Sequence, residues 1–147
     1  MSFRNAVLGT PSIAASYQNG LRALGAYSAK IAPANTRKCE GSVDLDACLR
    51  AGDPQGSRWD YAIGYEGLAY FAEVHSASGQ VSKVIDKVNW LRNWLRNDGA
   101  RLAAIHYPGG NFHWIPIGGV NILGKERLRL AQDKIVIKSR LSLPANE

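Results

Sequence analysis

The chain has 147 residues, enough for one domain with its own core, and at 46% hydrophobic and 20% charged it has the composition of a folded protein rather than a disordered one. Two cysteines exclude a disulfide-stapled scaffold, and their spacing fits neither a zinc ribbon nor a redox pair. No apolar run approaches the about 20 residues of a membrane span, and residues 1–20 lack a signal-peptide core, so a cytoplasmic protein with reduced thiols and no membrane partner is expected.

The formal net charge is +6, and it is unevenly spread. Arg4, Arg22, Lys30, Arg37 and Lys38 precede the first acid, Glu40, and acids then cluster over 40–73. A basic envelope around an acidic patch suits a polyanion, DNA or RNA. A basic surface that only keeps a small protein in solution is the alternative.

In chain order, residues 1–10 read as a loose lead-in to a single domain spanning 1–147. Ile13, Tyr17, Leu21, Leu24, Tyr27 and Ile31 recur at helical spacing and predict a helix over 13–31, weakened by Gly20 and Gly25. Residues 32–42 read as a polar connector. Ser42 or Asp44 then caps a short helical segment ending at Gly52, and Asp53-Pro54-Gln55-Gly56 has turn composition.

Over 58–75 the pattern changes to period two. Trp59, Tyr61, Ile63 and Tyr65 alternate with Asp60, Ala62 and Gly64; after Glu66-Gly67, Leu68, Tyr70, Ala72 and Val74 alternate with Ala69, Phe71, Glu73 and His75. This is a hairpin signal. A helix over 76–97 follows, with Val81, Val84, Ile85, Val88, Leu91 and Leu95 as its apolar stripe and Asn97-Asp98-Gly99 as its end. Residues 101–107 and 111–117 read as strands around Pro108-Gly109-Gly110, Gly118-Gly119 breaks the pattern, 125–132 reads as a helix, and 134–138 as a last strand or its extension. The expected fold is α/β, a central mixed sheet of four to five strands flanked by helices. The strand 68–75, the long helix and the strand 101–107 are expected to form a right-handed crossover that makes those strands parallel.

Asp60 starts one strand of the hairpin and Glu73 ends the other, so antiparallel pairing brings both acids to the same end. A divalent cation needs that convergence of hard oxygen ligands. The residues leave open a second reading, in which Asp60 pairs with Arg58 and Glu73 with an arginine of a neighbouring element.

A helix before a strand meander, Asp60 on one strand, Glu73-Val74-His75 ending the next, and a helix after it: this order resembles the core of the restriction-endonuclease-like (PD-(D/E)XK) nuclease superfamily over 13–117. The resemblance implies a restriction-endonuclease-like core and a Mg²⁺-dependent (or Mn²⁺-dependent) endonuclease that hydrolyses a nucleic-acid phosphodiester, with Asp60 and Glu73 as metal ligands. His75 stands where the superfamily motif has lysine. It titrates near neutrality and lacks a fixed positive charge. A lysine relocated to the following helix, Lys87 or Lys83, would serve instead, giving Asp60, Glu73, His75 and Lys87 as catalytic residues. If no lysine reaches the acids, the resemblance implies the fold without the activity: a non-catalytic interaction module of a defence or toxin-related system, with a protein partner or a homodimer.

Lys83, Lys87, Trp90 and Trp94 share one face of the long helix, a pattern for phosphate contact followed by base stacking; Arg58 is grouped with Lys83, Trp90 and Trp94 as nucleic-acid-binding. The other reading packs both indoles in a second layer with the lysines at its rim. His106 and His113, on the two strands flanking Pro108, would lie side by side as in a metal-independent ribonuclease. With His75 they make three histidines without zinc-ligand spacing.

Overall fold

The computed structural model describes residues 2–76, 81–118 and 121–147, and of His75 and Ser76 only the backbone. In chain order the elements are α1 (Phe3–Leu8), β1 (Gln18–Asn19), β2 (Ile31–Pro33), β3 (Cys39–Asp44), α2 (Leu45–Leu49), β4 (Tyr61–Tyr65), β5 (Leu68–Ser76), α3 (Val81–Arg96), α4 (Ala100–Ala103), β6 (Phe112–Ile117), α5 (Gly124–Gln132), β7 (Ile135–Ile137) and β8 (Leu141–Leu143). Residues 77–80 of the expected long helix, and Gly119 of the expected break, lie outside the described residues.

The α/β class is as expected. Six strands form a mixed sheet in the order β1-β3-β4-β5-β6-β7, wider than the four to five predicted, and β2 pairs with β8 in a separate parallel ribbon. β3, β4 and β5 form an antiparallel meander, while β6 is parallel to β5 and β7 parallel to β6.

The hairpin forms where the alternation placed it. Its two-residue turn uses left-handed backbone at Glu66 (φ 53°) and Gly67 (φ 81°), the conformation whose twist matches paired strands. Lys38 pairs with the Glu66 carboxylate, and the Gly67 N–H donates to Glu40 Oε1 at 2.7 Å, so the turn is tied to β3.

Alternation sorts the hairpin's side chains onto two faces of the sheet. Ala62, Ala69 and Phe71 meet α3, whose stripe of Val81, Val84, Ile85, Val88, Leu91 and Leu95 is buried as its spacing predicted. Ile63, Tyr65, Tyr70 and Ile115 face the opposite way, against Leu24, Ile31, Leu141 and Leu143. Burying a large aliphatic or aromatic side chain contributes about 1.5–3 kcal/mol, so the core on each face helps to fix the hairpin's register.

Four expectations need correction. The lead-in is a capped helix: Ser2 Oγ accepts from the Asn5 N–H at 3.0 Å, and Phe3, Ala6 and Val7 are fully buried. A Cβ at Gly64 would overlap the Cβ and Cγ atoms of Phe3, so that glycine lets α1 seat on the sheet. The helix over 13–31 does not form. Gly20 and Gly25 adopt φ of +55° and +56°, which no right-handed helix admits, and the segment breaks into 3-10 turns around β1.

The polar connector contains β3, an inner strand whose buried positions are Gly41, Ser42 and Val43. Residues 101–107 are not a strand. Ala100–Ala103 is helical, Ala103 and Ala104 are exposed, and only His106 bridges β5, at Ala69. The parallel partner of β5 after the crossover is therefore β6.

Candidate active site

The two-residue turn pairs Tyr65 with Leu68 and Tyr61 with Ala72. One step further out Asp60 faces Glu73, and directly opposed residues of an antiparallel pair share a sheet face. The two acids are joined reciprocally. The Asp60 N–H donates to Glu73 Oε1 at 3.0 Å, and the Val74 N–H donates to Asp60 Oδ2 at 3.1 Å.

α3 crosses this face and supplies the third group. Lys87 lies beside the buried stripe, and its Nζ donates to Asp60 Oδ1 at 3.3 Å and, in a shorter contact, to Glu73 Oε2. The Glu73 side chain has no exposure, against 18% for Asp60 and 16% for Lys87, so the cluster opens to solvent from Asp60 and Lys87. Trp114, fully buried on β6, is the register partner of Glu73 on the neighbouring strand. Sequence reasoning missed Trp114 because its neighbour depended on which strand follows the crossover.

Burial drives the Glu73 carboxyl pKa well above the usual glutamate range, and the Asp60 charge adds to it; the Lys87 ammonium works against both. Burial pulls Lys87 down, but the charges of Glu73 and Asp60 and its hydrogen bonds to both outweigh this, and the net shift is upward. The cluster thus keeps Lys87 charged and holds a proton on Glu73 to unusually high pH.

Negative potential extends past the pair. Asp44, the N-cap of α2, is raised by burial, with the charges of Asp46 and Asp60 adding to it. Tyr61 is pushed up to about 12 by burial and by the charges of Asp44 and Asp60. Asp44 had been legible only as a helix cap, because the strand that carries it, β3, has no alternating signal.

Of the predicted site residues, Asp60, Glu73 and Lys87 come together. The side chain of His75 lies outside the described residues. Lys83 is exposed one turn before Lys87. Trp90 is half-buried and Trp94 buried, their rings near-parallel at 6° with centroids 6.2 Å apart.

Arg58 is turned inward, contrary to its expected place at a nucleic-acid backbone. It is 9% exposed; its Nε donates to Asp46 O and Oδ1, both at 3.1 Å, and its Nη1 to Asp53 O at 2.5 Å and Gly56 O at 3.2 Å. It also pairs with Asp46, not with Asp60. Its work is to hold the 53–58 loop that leads into Asp60.

The hairpin expected to bring His106 and His113 side by side does not form. His106 Nε2 lies 3.0 Å from Asn111 O, while His113 is fully buried with Nε2 2.5 Å from Glu147 Oε1. Burial lowers both histidines' pKa, so both are neutral at pH 7.

Among the described residues no three His, Cys, Asp or Glu side chains are grouped to hold a metal ion, and no helix is long and apolar enough to cross a membrane. The donor set at Asp60 and Glu73 is nonetheless of the right chemistry: hard carboxylate oxygens converging on one cationic group, the Lys87 ammonium. Compared with family models, with curated proteins and with solved structures, the chain has no match.

Proposed function

We propose that the chain is a metal-dependent nuclease with Asp60, Glu73 and Lys87 as its active site. One observation carries this reading: two carboxylates at the end of a hairpin, on one sheet face, meet a lysine delivered by the crossover helix. The meander, crossover helix and parallel β6 around them support the likeness to restriction-endonuclease-like cores set out above.

Asp60 and Glu73 would hold a Mg²⁺ or Mn²⁺ ion, which supplies Lewis-acid polarisation of the phosphate and lowers the pKa of water. The chain's own groups do the rest. Asp60 is fixed by the Val74 N–H and Glu73 by the Asp60 N–H, so the carboxylates are oriented before any ligand arrives. Lys87, released from one carboxylate, presents its ammonium to the attacking water or to charge growing on a phosphate oxygen. It is the fixed positive charge that His75 cannot provide. The net charge of +6 suits a DNA or RNA backbone, and Cys39 and Cys48, both free thiols, support a cytoplasmic setting.

The test is cleavage of plasmid and of RNA with Mg²⁺ or Mn²⁺. Asp60→Asn and Glu73→Gln should each lower the rate by about 100-fold or more. Cleavage that persists in both variants refutes the assignment.

One observation favours the second reading, a non-catalytic module of nuclease-like fold. The acids already satisfy one another through Asp60 N–H, Val74 N–H and Lys87, an internally closed cluster. The thermal midpoint separates the readings: a metal that binds the native state must raise it, and no shift at millimolar Mn²⁺ favours the module.

A further inference from the structure

Beyond Lys87 the same face of α3 forms the floor of a cleft of about 440 Å³. This lies within the about 300–1,000 Å³ typical of small-ligand sites. Trp90 and Trp94 make its aromatic surface, and Asn93, Asn97, Asp53 and Asp98 are among the polar groups that line it. Both rings are held in place. The Trp90 Nε1–H donates to Asp53 Oδ2 at 2.9 Å, and Trp94 lies flat over Gly99, where any Cβ would overlap the indole. The buried Trp94 Nε1–H has no acceptor among the described residues.

We propose that this cleft takes one unpaired nucleobase of a single-stranded nucleic acid whose backbone phosphate lies at Lys87, an inference that rests on the nuclease reading above. Three features select that occupant. A pre-set, half-buried indole at the cleft surface, Trp90, offers a π face to any base. Carboxamides and carboxylates can meet the donors and acceptors of a base edge, whereas no lysine or arginine lines the cleft, so a phosphate is not what it holds.

The third feature is position. At about 1.5 Å rise per residue, Trp90 stands about 4.5 Å along the helix axis from Lys87 and on the same face, within reach of the same nucleotide or its neighbour. A base inside a duplex is covered on both faces by its neighbours, so the occupant must be unpaired or flipped. The loop that anchors Trp90 through Asp53 is the one Arg58 ties down ahead of Asp60, so base site and acid site share a support.

The experiment is a tryptophan-fluorescence titration of the intact chain with a short single-stranded oligonucleotide and with the matching duplex, in Ca²⁺ buffer. Trp59 and Trp114 have no exposure, so quenching by a base reports Trp90 and Trp94. The single strand should quench and bind about 10-fold or more tighter than the duplex, Trp90→Ala should lose about 10-fold of single-strand affinity, and Trp90→Phe should keep most of it. If Trp90→Ala melts early, Asn93→Ala on the exposed rim gives the same readout with a smaller loss.

Equal binding of single strand and duplex, unchanged affinity in Trp90→Ala, or quenching by a neutral oligosaccharide in place of nucleic acid would overturn the proposal. The nuclease reading fails separately. Quenching with the expected variant losses but no cleavage in Mg²⁺ or Mn²⁺ keeps the cleft and removes the nuclease. Single-strand cleavage in Mg²⁺ or Mn²⁺ that is indifferent to Trp90→Ala keeps the nuclease and removes the cleft.

Discussion

Lys87→Met removes the ammonium from between two carboxylates and leaves a side chain of similar length. Deleting one partner of a buried ion pair costs about 3–5 kcal/mol. Lys87 and Asp60 keep 16% and 18% exposure, and Glu73 relieves part of the penalty by retaining its proton, so a loss of about 2–3 kcal/mol near pH 7 is expected. The loss must also depend on pH. In the wild type the Lys87 charge holds Glu73 below the pKa that burial and Asp60 would impose. Without it Glu73 stays protonated to higher pH, so above the wild-type pKa the folded variant binds more protons than the folded wild type. The deficit then widens with pH, by up to about 1.4 kcal/mol per unit. Urea unfolding followed by tryptophan fluorescence, at about pH 6 and about pH 9, measures it directly. Adding Glu73→Gln to Lys87→Met should recover much of the loss. A deficit that is the same at both pH values, or below about 0.5 kcal/mol, refutes the buried-cluster account.

The wild type carries a related signature. Unfolded Glu73 releases its proton near the ordinary glutamate value, while the folded residue holds it to about 8; between these pH values the folded state binds more protons, and stability falls as pH rises. The slope should reach at most about 1.4 kcal/mol per pH unit and should disappear in Glu73→Gln, as measured by urea midpoints across that window. Phe3→Ala should cost about 3–5 kcal/mol in the same assay, since its fully buried ring packs onto Gly64. A loss below about 1 kcal/mol would return residues 1–10 to the status of a loose lead-in.

How far the sequence could be read depended on how local each pairing is. The hairpin was legible because a two-residue turn fixes its register, and counting outward from Glu66-Gly67 suffices to set Asp60 against Glu73. The helix carrying Lys87 was legible from its apolar stripe, which left Lys87 facing the same way as Lys83. β3 was not: its buried positions are Gly41, Ser42 and Val43, and it is a strand because β4 lies beside it. Likewise 101–107 has the composition of either element, and tertiary packing decided for helix at Ala100–Ala103. Arg58 misled for a different reason. A basic residue beside an acidic site looks like a phosphate contact until the 53–58 loop, which has no periodicity to betray its path, is seen to close around it.

The exchange of hydrogen bonds between Asp60 and the end of β5 makes the two carboxylates a clasp for the mouth of the hairpin as well as a site. Beyond Tyr61 the strand ladder has ended, and side-chain oxygens receive the Asp60 and Val74 amide protons. Whatever draws those oxygens away must loosen the clasp or replace it. Hydrogen exchange at these two amides is therefore a direct gauge of occupancy: a cation that pulls a carboxylate off its amide leaves that proton to solvent, while one that binds the outer lone pairs locks it in.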